Sequence, residues 1–454
     1  MGTHELSRAV GALIAAVVLA AAFALAAEEP LAPSAEPIPA PLGAPGEGAE
    51  KASEPAPDAP AADEPAAGEE KSPEEAASDF NVVPIPEIIL DPNEGNTYGL
   101  LGVWLVTDDN DEIKYMVAPD VRWNDTKGWF PNFRVFGYPT ATRRYSVLLG
   151  KSTTRDENYE IEYAERGLLD NKAFVLAKFL YERDSTERFY GFGNESDENA
   201  ESNYTGEDLY ADVQPGYWVL PSVNVSYRMR IRRYNVQHGQ VTSEPFIAVA
   251  HPEVKGKGLE SGVYWQHRIA IAYDTRDSMD MPTEGTYANA YVDGADRHVG
   301  SSTSFVAYGF EWRNFLPFRG VAKNPILAMR AYVDYIQGGT DTPFWIQHSL
   351  GGRRSLRGYG GDRFVDFNRS LMSAELRTRV YERRIFGVKG ELELAPFIEA
   401  GQVFRHIYDV PVDDLHVVGG LGIRALVRPQ LVAFVDLGYG AEGDSIFTGI
   451  DYPF

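Results

Sequence analysis

The side chains able to do covalent chemistry are few, and their spacing does not assemble a reaction centre. No Gly-x-Ser-x-Gly elbow and no His-Glu-x-x-His occurs. The eight histidines (His4, His238, His251, His267, His298, His348, His406, His416) show no metal-ligand spacing. With no cysteine there is no disulfide framework, thiolate metal site, catalytic thiol or lipid-anchored cysteine. Thr107-Asp-Asp-Asn-Asp-Glu112 offers calcium-type oxygens, yet Ile113 stands where a calcium loop of that register needs glycine, so a solvated hairpin is expected. His267 beside Arg268 reads as a polar wall residue. Asn194-Glu-Ser196 and Asn203-Tyr-Thr205 match a glycosylation pattern that is common by chance. The chain is therefore expected to be no enzyme, with no cofactor and no metal.

What the sequence does repeat is charge on one face of short alternating segments. In Arg369 to Arg379, Ser373, Glu375, Arg377 and Arg379 share one parity, and Met372, Ala374, Leu376 and Thr378 share the other. Glu391, Glu393 and Glu399 alternate in the same way with Leu392, Leu394 and Ile398. So do Arg228, Arg230 and Arg232 with Tyr227, Met229 and Ile231, and Arg330, Tyr332 and Asp334 with Met329, Ala331 and Val333. Period two means strands, and a charged row facing an apolar row needs water or partners on one side only.

The elements that position these rows follow from length and composition. Of 454 residues, 12% are aromatic, with 25 Tyr and 23 Phe, which suits rings at a membrane interface. Acidic residues outnumber basic ones 66 to 42, so the net charge of −24 argues against nucleic acid as a partner. A start bearing Arg8, an apolar run from Ala9 to Ala22 and the small-x-small pattern Ala24-Leu-Ala26 read as a secretory signal peptide, residues 1–26. Residues 27–79 are rich in Ala, Pro and Glu and lack aromatics, the composition of a disordered periplasmic tether. Residues 1–79 hold 15 acids and 3 bases, half of the net charge. This charge suits either a solvated spacer, the favoured reading, or a contact with an unidentified periplasmic partner.

From Phe80 onward no second linker appears and no run of about 18 apolar residues occurs, so a membrane-embedded fold would have to be a barrel. Strand candidates include Tyr98 to Val106, Arg143 to Gly150, Ala173 to Tyr181, Val263 to Tyr273, Gly285 to Val292, Ser304 to Trp312 and His416 to Val427. In all there are roughly sixteen, which predicts an all-β, sixteen-stranded antiparallel transmembrane barrel over residues 80–454. Ile450, Tyr452 and Phe454 recur at alternate positions as an apolar-aromatic final strand, with Pro453 as an interruption. The stretch Glu182 to Tyr217 is too long for a simple turn, and the sequence assigns it no topology.

Gly351-Gly-Arg-Arg-Ser-Leu-Arg-Gly-Tyr-Gly-Gly361 resembles the signature loop of the BamA/TamA superfamily, the bacterial surface antigen family. Further matches come in that family's order. Tyr273-Asp-Thr-Arg-Asp277 with Pro282 and Gly285 looks like the turn between strands eight and nine; Asp274, Arg276 and Asp277 are its polar members. Ala374-Glu-Leu-Arg377 looks like strand twelve, and Phe397-Ile-Glu-Ala-Gly401 like strand thirteen. The resemblance implies an outer-membrane location, a loop after strand eleven that folds into the lumen with Arg357, Gly358 and Tyr359 at its tip, and five strands after it. It also implies outer-membrane lipids and the barrel-assembly machinery as partners during insertion. Set beside the face analysis, it places Arg357 against Glu375 and Glu399. Two departures stand out. The tether occupies the place of the periplasmic POTRA domains that assembly machines usually carry, and Glu399 stands where the family often has Asp. The functions implied are membrane-protein assembly, insertion or translocation, or else a structural or pore-type barrel without insertase activity.

Overall fold

In the computed structural model the described residues are 82–108, 113–385, 388–409, 411–427, 431–450, 452 and 454. The expected signal peptide and tether lie outside them. Alternation produces strands almost throughout: β1 (Val82–Asp91), β2 (Gly95–Thr107), β3 (Ile113–Val117), β4 (Asp120–Asn124), β5 (Gly128–Thr140), β6 (Arg143–Lys151) and β7 (Glu157–Gly167). There follow β8 (Ala173–Phe189), β9 (Ser202–Leu220), β10 (Val223–His238), β11 (Gly262–Asp274), β12 (Gly285–Ala295), β13 (Phe305–Pro317) and β14 (Ile326–Gly338). The last third holds β15 (His348–Leu350), β16 (Phe364–Asp366), β17 (Asn368–Ile385), β18 (Val388–Phe404), β19 (His416–Val427), β20 (Leu431–Gly440) and β21 (Gly443–Ile450).

Neighbouring strands of the wall pair antiparallel, β14 pairs directly with β17, and β1 meets β21 to close the sheet. β15 and β16 form a separate ribbon within the connection from β14 to β17. β3 and β4 both pair with β2 and with β5, so they fill one position interrupted at Ala118 and Pro119. Removing the ribbon and merging β3 with β4 leaves eighteen positions among the described residues, not the expected sixteen. The ribbon that carries the signature loop follows the thirteenth position, and five strands come after it. The Tyr273–Asp277 turn joins the tenth and eleventh positions, so both additional strands precede it. The alternation is hardest to read in this N-terminal region, because Pro84, Pro86 and Pro119 interrupt it.

The faces are as the charge rows require. Ser373, Glu375 and Arg377 are buried while Met372 and Leu376 are exposed; Glu393 and Glu399 are buried while Ile398 is exposed. Leu100, Val121, Phe133, Leu149, Ile161, Ile269, Val292, Phe310 and Val417 are exposed on the outside of the wall, the apolar exterior of a barrel in lipid. One end carries tight connections such as 141–142 and 221–222. The other carries 190–201, 239–261, 296–304, 339–367 and 405–415. Glu182 to Tyr217 therefore runs along β8, crosses at the loop end and returns along β9. There Phe189, Tyr204, Tyr234, Ile247, Val254, Phe344 and Val365 pack into an apolar dome.

Candidate functional site

The connection from β14 to β17 bends inward. Leu356, at φ +47°, is fully buried, and the Tyr359 N–H donates to its carbonyl oxygen at 2.9 Å. This turn drives Arg357 into the wall of the last strands. Its main-chain N–H donates to Glu399 Oε2 at 2.7 Å and its Nε to Glu399 Oε1 at 3.1 Å. Nη2 lies 2.9 Å from Glu375 Oε1, Nη1 donates to Asp436 Oδ2 at 2.5 Å, and the guanidinium sits 3.7 Å from the Phe397 ring centroid. The Arg357 carbonyl oxygen accepts from the Ser445 hydroxyl at 2.5 Å. Strands β17, β18, β20 and β21 are thus tied to one residue.

Such an approach requires backbone against backbone. A Cβ on Gly438 would fall inside the Arg357 carbonyl group, and one on Gly358 would press on the main chain of Gly440. Tyr359 is buried, with its ring edge-on to Phe364 at 5.1 Å and to His416 at 5.8 Å.

Around Arg357 the charges continue. Arg424 forks onto Glu375, with both Nη atoms at 2.9 Å, and its Nη1 reaches Glu393 Oε1 at 3.4 Å. Arg377 donates from Nε to Glu375 Oε2 at 3.0 Å and from Nη2 to the Phe454 main-chain oxygen at 3.2 Å. Three guanidiniums and four carboxylates therefore share a site in which no member is more than 1% exposed. Charges this far from water persist only when paired in good geometry. The arrangement fastens the loop to the wall.

Sequence reasoning had not singled out Asp436, Arg424 or Arg377 as partners. Their signal was a charge at inward parity in otherwise apolar segments: Asp436 in the row Val432, Phe434, Asp436, and Arg424 in the row Gly422, Arg424, Leu426.

The turn motif lies apart from this cluster. Arg276 forks onto Asp274 at 2.9 and 2.7 Å and stacks over Tyr287. Asp277 accepts from the N–H groups of Ser278, Thr283 and Glu284 and from the Thr283 hydroxyl. Burial alone would push its carboxyl up, but these hydrogen bonds hold it below the usual range. Gly285 has φ +104°, and a Cβ there would collide with the Thr275 carbonyl oxygen. Pro282 and Arg276 line a cavity of about 220 Å³ together with Arg354, Tyr452 and Phe454.

At the final residues the structure departs from the sequence pattern. Among the described residues the last strand runs to Ile450, which pairs with Ala433. Tyr452 lies under the Arg377 guanidinium at 4.1 Å, with its hydroxyl 3.4 Å from Glu393, and Phe454 is buried against Phe315, Ile326 and Ala328. Tyr452 and Phe454 thus turn inward instead of continuing an outward-facing strand. Pro453 has no N–H for a further ladder bond, and Arg377 offers the rings a cation.

A closed antiparallel wall with an apolar exterior, a charged interior and a loop folded into it defines an outer-membrane-type β-barrel. The Omp85 superfamily domain model matches residues 143–422, more than half of the chain, and the chain belongs to that superfamily, whose barrels are outer-membrane proteins. Among solved structures it is similar to BamA from Haemophilus ducreyi lacking POTRA domains 1–3, with TM-score 0.50 and 13% identity, covering 83% of this chain and 76% of that one. It is also similar to CdiB from Escherichia coli, with TM-score 0.53 and 10% identity, covering 77% of this chain and 66% of CdiB, just under two thirds. At such identities the likeness is one of fold. No curated protein matches the sequence.

Proposed function

We propose that this barrel acts in outer-membrane protein assembly, insertion or translocation by opening between β1 and β21, while the Arg357 loop holds the remaining wall in shape. The observation that carries this reading is the contrast between the two regions. The seam has a single residue pair, Leu90 with Ile446, among the described residues. Pro84 opposes Gly102 and Pro86 opposes Leu100 in an unbroken ladder with β2. A proline can occupy such a ladder only where its nitrogen points away from the partner, so both positions withhold a donor from the β21 side. By contrast, Arg357 ties together four strands on one side of that seam, β17, β18, β20 and β21.

The reading includes export through a cleavable signal peptide, insertion by the barrel-assembly machinery, contact with outer-membrane lipids and no covalent chemistry of its own. A contact of the tether with a periplasmic partner is left to pull-down. A second reading, a pore-type barrel, draws support from a lumen cavity of about 890 Å³ beside β1 to β9, lined among others by Arg122, Arg134, Lys178 and Glu182.

The test joins Leu90→Cys with Ile446→Cys in this cysteine-free chain. Directly opposed antiparallel residues have Cα atoms about 4.5–5.5 Å apart, within disulfide range. Cells relying on the oxidised double variant should lose other outer-membrane barrels or surface lipids and recover them on reduction. Undiminished assembly with the seam locked, together with steady conductance in planar bilayers, would favour the pore. Mobility that is the same boiled and unheated on a detergent gel would count against any closed barrel.

A further inference from the structure

Beneath the apolar dome lies a third cavity, of about 230 Å³, whose charges do not balance. Five carboxylates face it: Glu182, Asp184, Glu187, Asp208 and Asp362. Two of them are matched by cations, Asp184 by Lys127 at 3.1 Å and Asp208 by Arg232 at 2.8 Å. Arg188, also on the cavity wall, pairs instead with Glu201. Among the described residues Glu182 has only an amide, Asn158, at 3.4 Å, Asp362 has only the Ser349 hydroxyl, and Glu187 has no side-chain partner. Two half-buried carboxylates, Glu182 and Glu187, and the exposed Asp362 thus line one space with no cation of their own.

An independent observation points the same way. Gln347 lines this cavity and is 6% exposed. Its Nε2 donates to the Thr342 carbonyl, which leaves Oε1 as a buried acceptor without a donor. A buried polar atom of this kind is costly unless something donates to it. The remaining wall is aromatic: Phe189, Tyr204, Tyr234, Phe344 and Trp345. Trp345 and Tyr234 already carry one cation, the Arg232 guanidinium, at 4.9 and 5.2 Å from their ring centroids.

We propose that this cavity binds a small organic ammonium ion, its N–H groups donating to Glu187, Asp362 and Gln347 Oε1 and its carbon chain lying against the aromatic wall. Cation charge answers the unmatched carboxylates, and multiple N–H donors answer the orphaned acceptor. The volume is below the roughly 300 Å³ at which pockets for drug-sized ligands begin, which sets the ligand as small. A bare metal ion fits poorly, because among the described residues no three metal-ligating side chains converge. Glu182 and Asp184 also line the large lumen cavity, so the two spaces adjoin and the ligand reaches its site from the lumen.

The test uses the full chain in detergent micelles at pH 7.5 and low salt, titrated calorimetrically with 1,4-diaminobutane. Saturable one-site binding at about 1 mM or tighter is expected. Glu187→Gln and Asp362→Asn should each weaken it about tenfold, the loss of one charge-assisted hydrogen bond, while Glu284→Gln in the distant 275–284 turn should not. Heat-modifiable mobility confirms that each variant is folded, and either cavity variant suffices if the other fails to form a barrel. The proposal is overturned by absence of saturable heat up to about 10 mM, as it would be if the carboxyls were simply protonated. It is equally overturned by unchanged affinity in the folded variants, by equal competition from neutral 1,4-butanediol, or by magnesium binding with diaminobutane excluded.

Discussion

Replacing Arg357 by alanine should strand the carboxylates around it unequally, and the inequality can be worked out residue by residue. Without the guanidinium, Glu375 keeps the Arg424 fork and Arg377, and Asp436 keeps Arg424 at 3.7 Å. Glu399 keeps the main-chain N–H of residue 357 at 2.7 Å and the Ser373 hydroxyl at 3.3 Å, but no cation. The cost of R357A therefore falls mainly on Glu399, and breaking a buried pair from one side costs about 3–5 kcal/mol. E399A should cost a similar amount. E375A should cost more, because it leaves Arg357, Arg377 and Arg424 short of a shared acceptor. In R357A/E399A no charge remains stranded at that position, so the double variant should fall short of the summed single losses by roughly 2–3 kcal/mol. Arg357→Lys should rescue little, since an ammonium cannot reach three carboxylates in forked geometry. The assay is urea unfolding in detergent, followed by tryptophan fluorescence and by the fraction of heat-modifiable barrel. Strict additivity in the 357/399 cycle, or R357A within about 1 kcal/mol of native, would refute the argument that the loop is held by this network.

Three further outcomes are expected. Arg at Ala374, whose neighbours Met372 and Leu376 face outward, should cost about 2–4 kcal/mol and impair membrane insertion, and Arg at Thr378 should cost less; equal losses in a liposome-refolding assay would contradict the register. Because the folded-state pKa of Asp277 is depressed, its contribution is present above the ordinary carboxylate pKa and disappears as pH falls through the folded value. The thermal stability gap between the native chain and Asp277→Asn should therefore be open at pH 7 and close toward strongly acid pH, and a gap independent of pH would remove the carboxylate from the turn's energetics. Pro84→Val with Pro86→Val returns two donors to the β21 side of β1 and should stabilise the barrel by about 0.5–1.5 kcal/mol per hydrogen bond formed, read as a higher melting temperature; an unchanged melting temperature would mean that something other than missing donors limits the seam.

Strand identity and face were legible because period two is local: Glu375 and Met372 announce their sides of the wall without knowledge of any other strand. The approach of Arg357 to Glu399 was legible from the family's loop motif combined with that parity. Asp436 was not, because its part depends on a crossing 79 residues away in sequence, which periodicity cannot report. The strand count fell short in the region where Pro84, Pro86 and Pro119 break alternation without ending the sheet. The inward turn of Tyr452 and Phe454 escaped because an aromatic at alternate positions reads the same whether lipid or an arginine covers it.

The single pair that the described residues form at the seam also bears on the order in which the barrel forms. The Arg357 ties join segments that lie near one another in the chain, whereas Leu90 and Ile446 stand near opposite ends of the described region. Closing a longer loop forfeits more chain entropy before any contact returns it. Chain entropy therefore favours gathering the last five strands around the infolded loop before the first strand can meet the last. The meeting of first strand with last comes at the end. The contact expected latest has a single residue pair among the described residues, so on the proposed opening the line along which the wall would finish folding is also the line along which it would part.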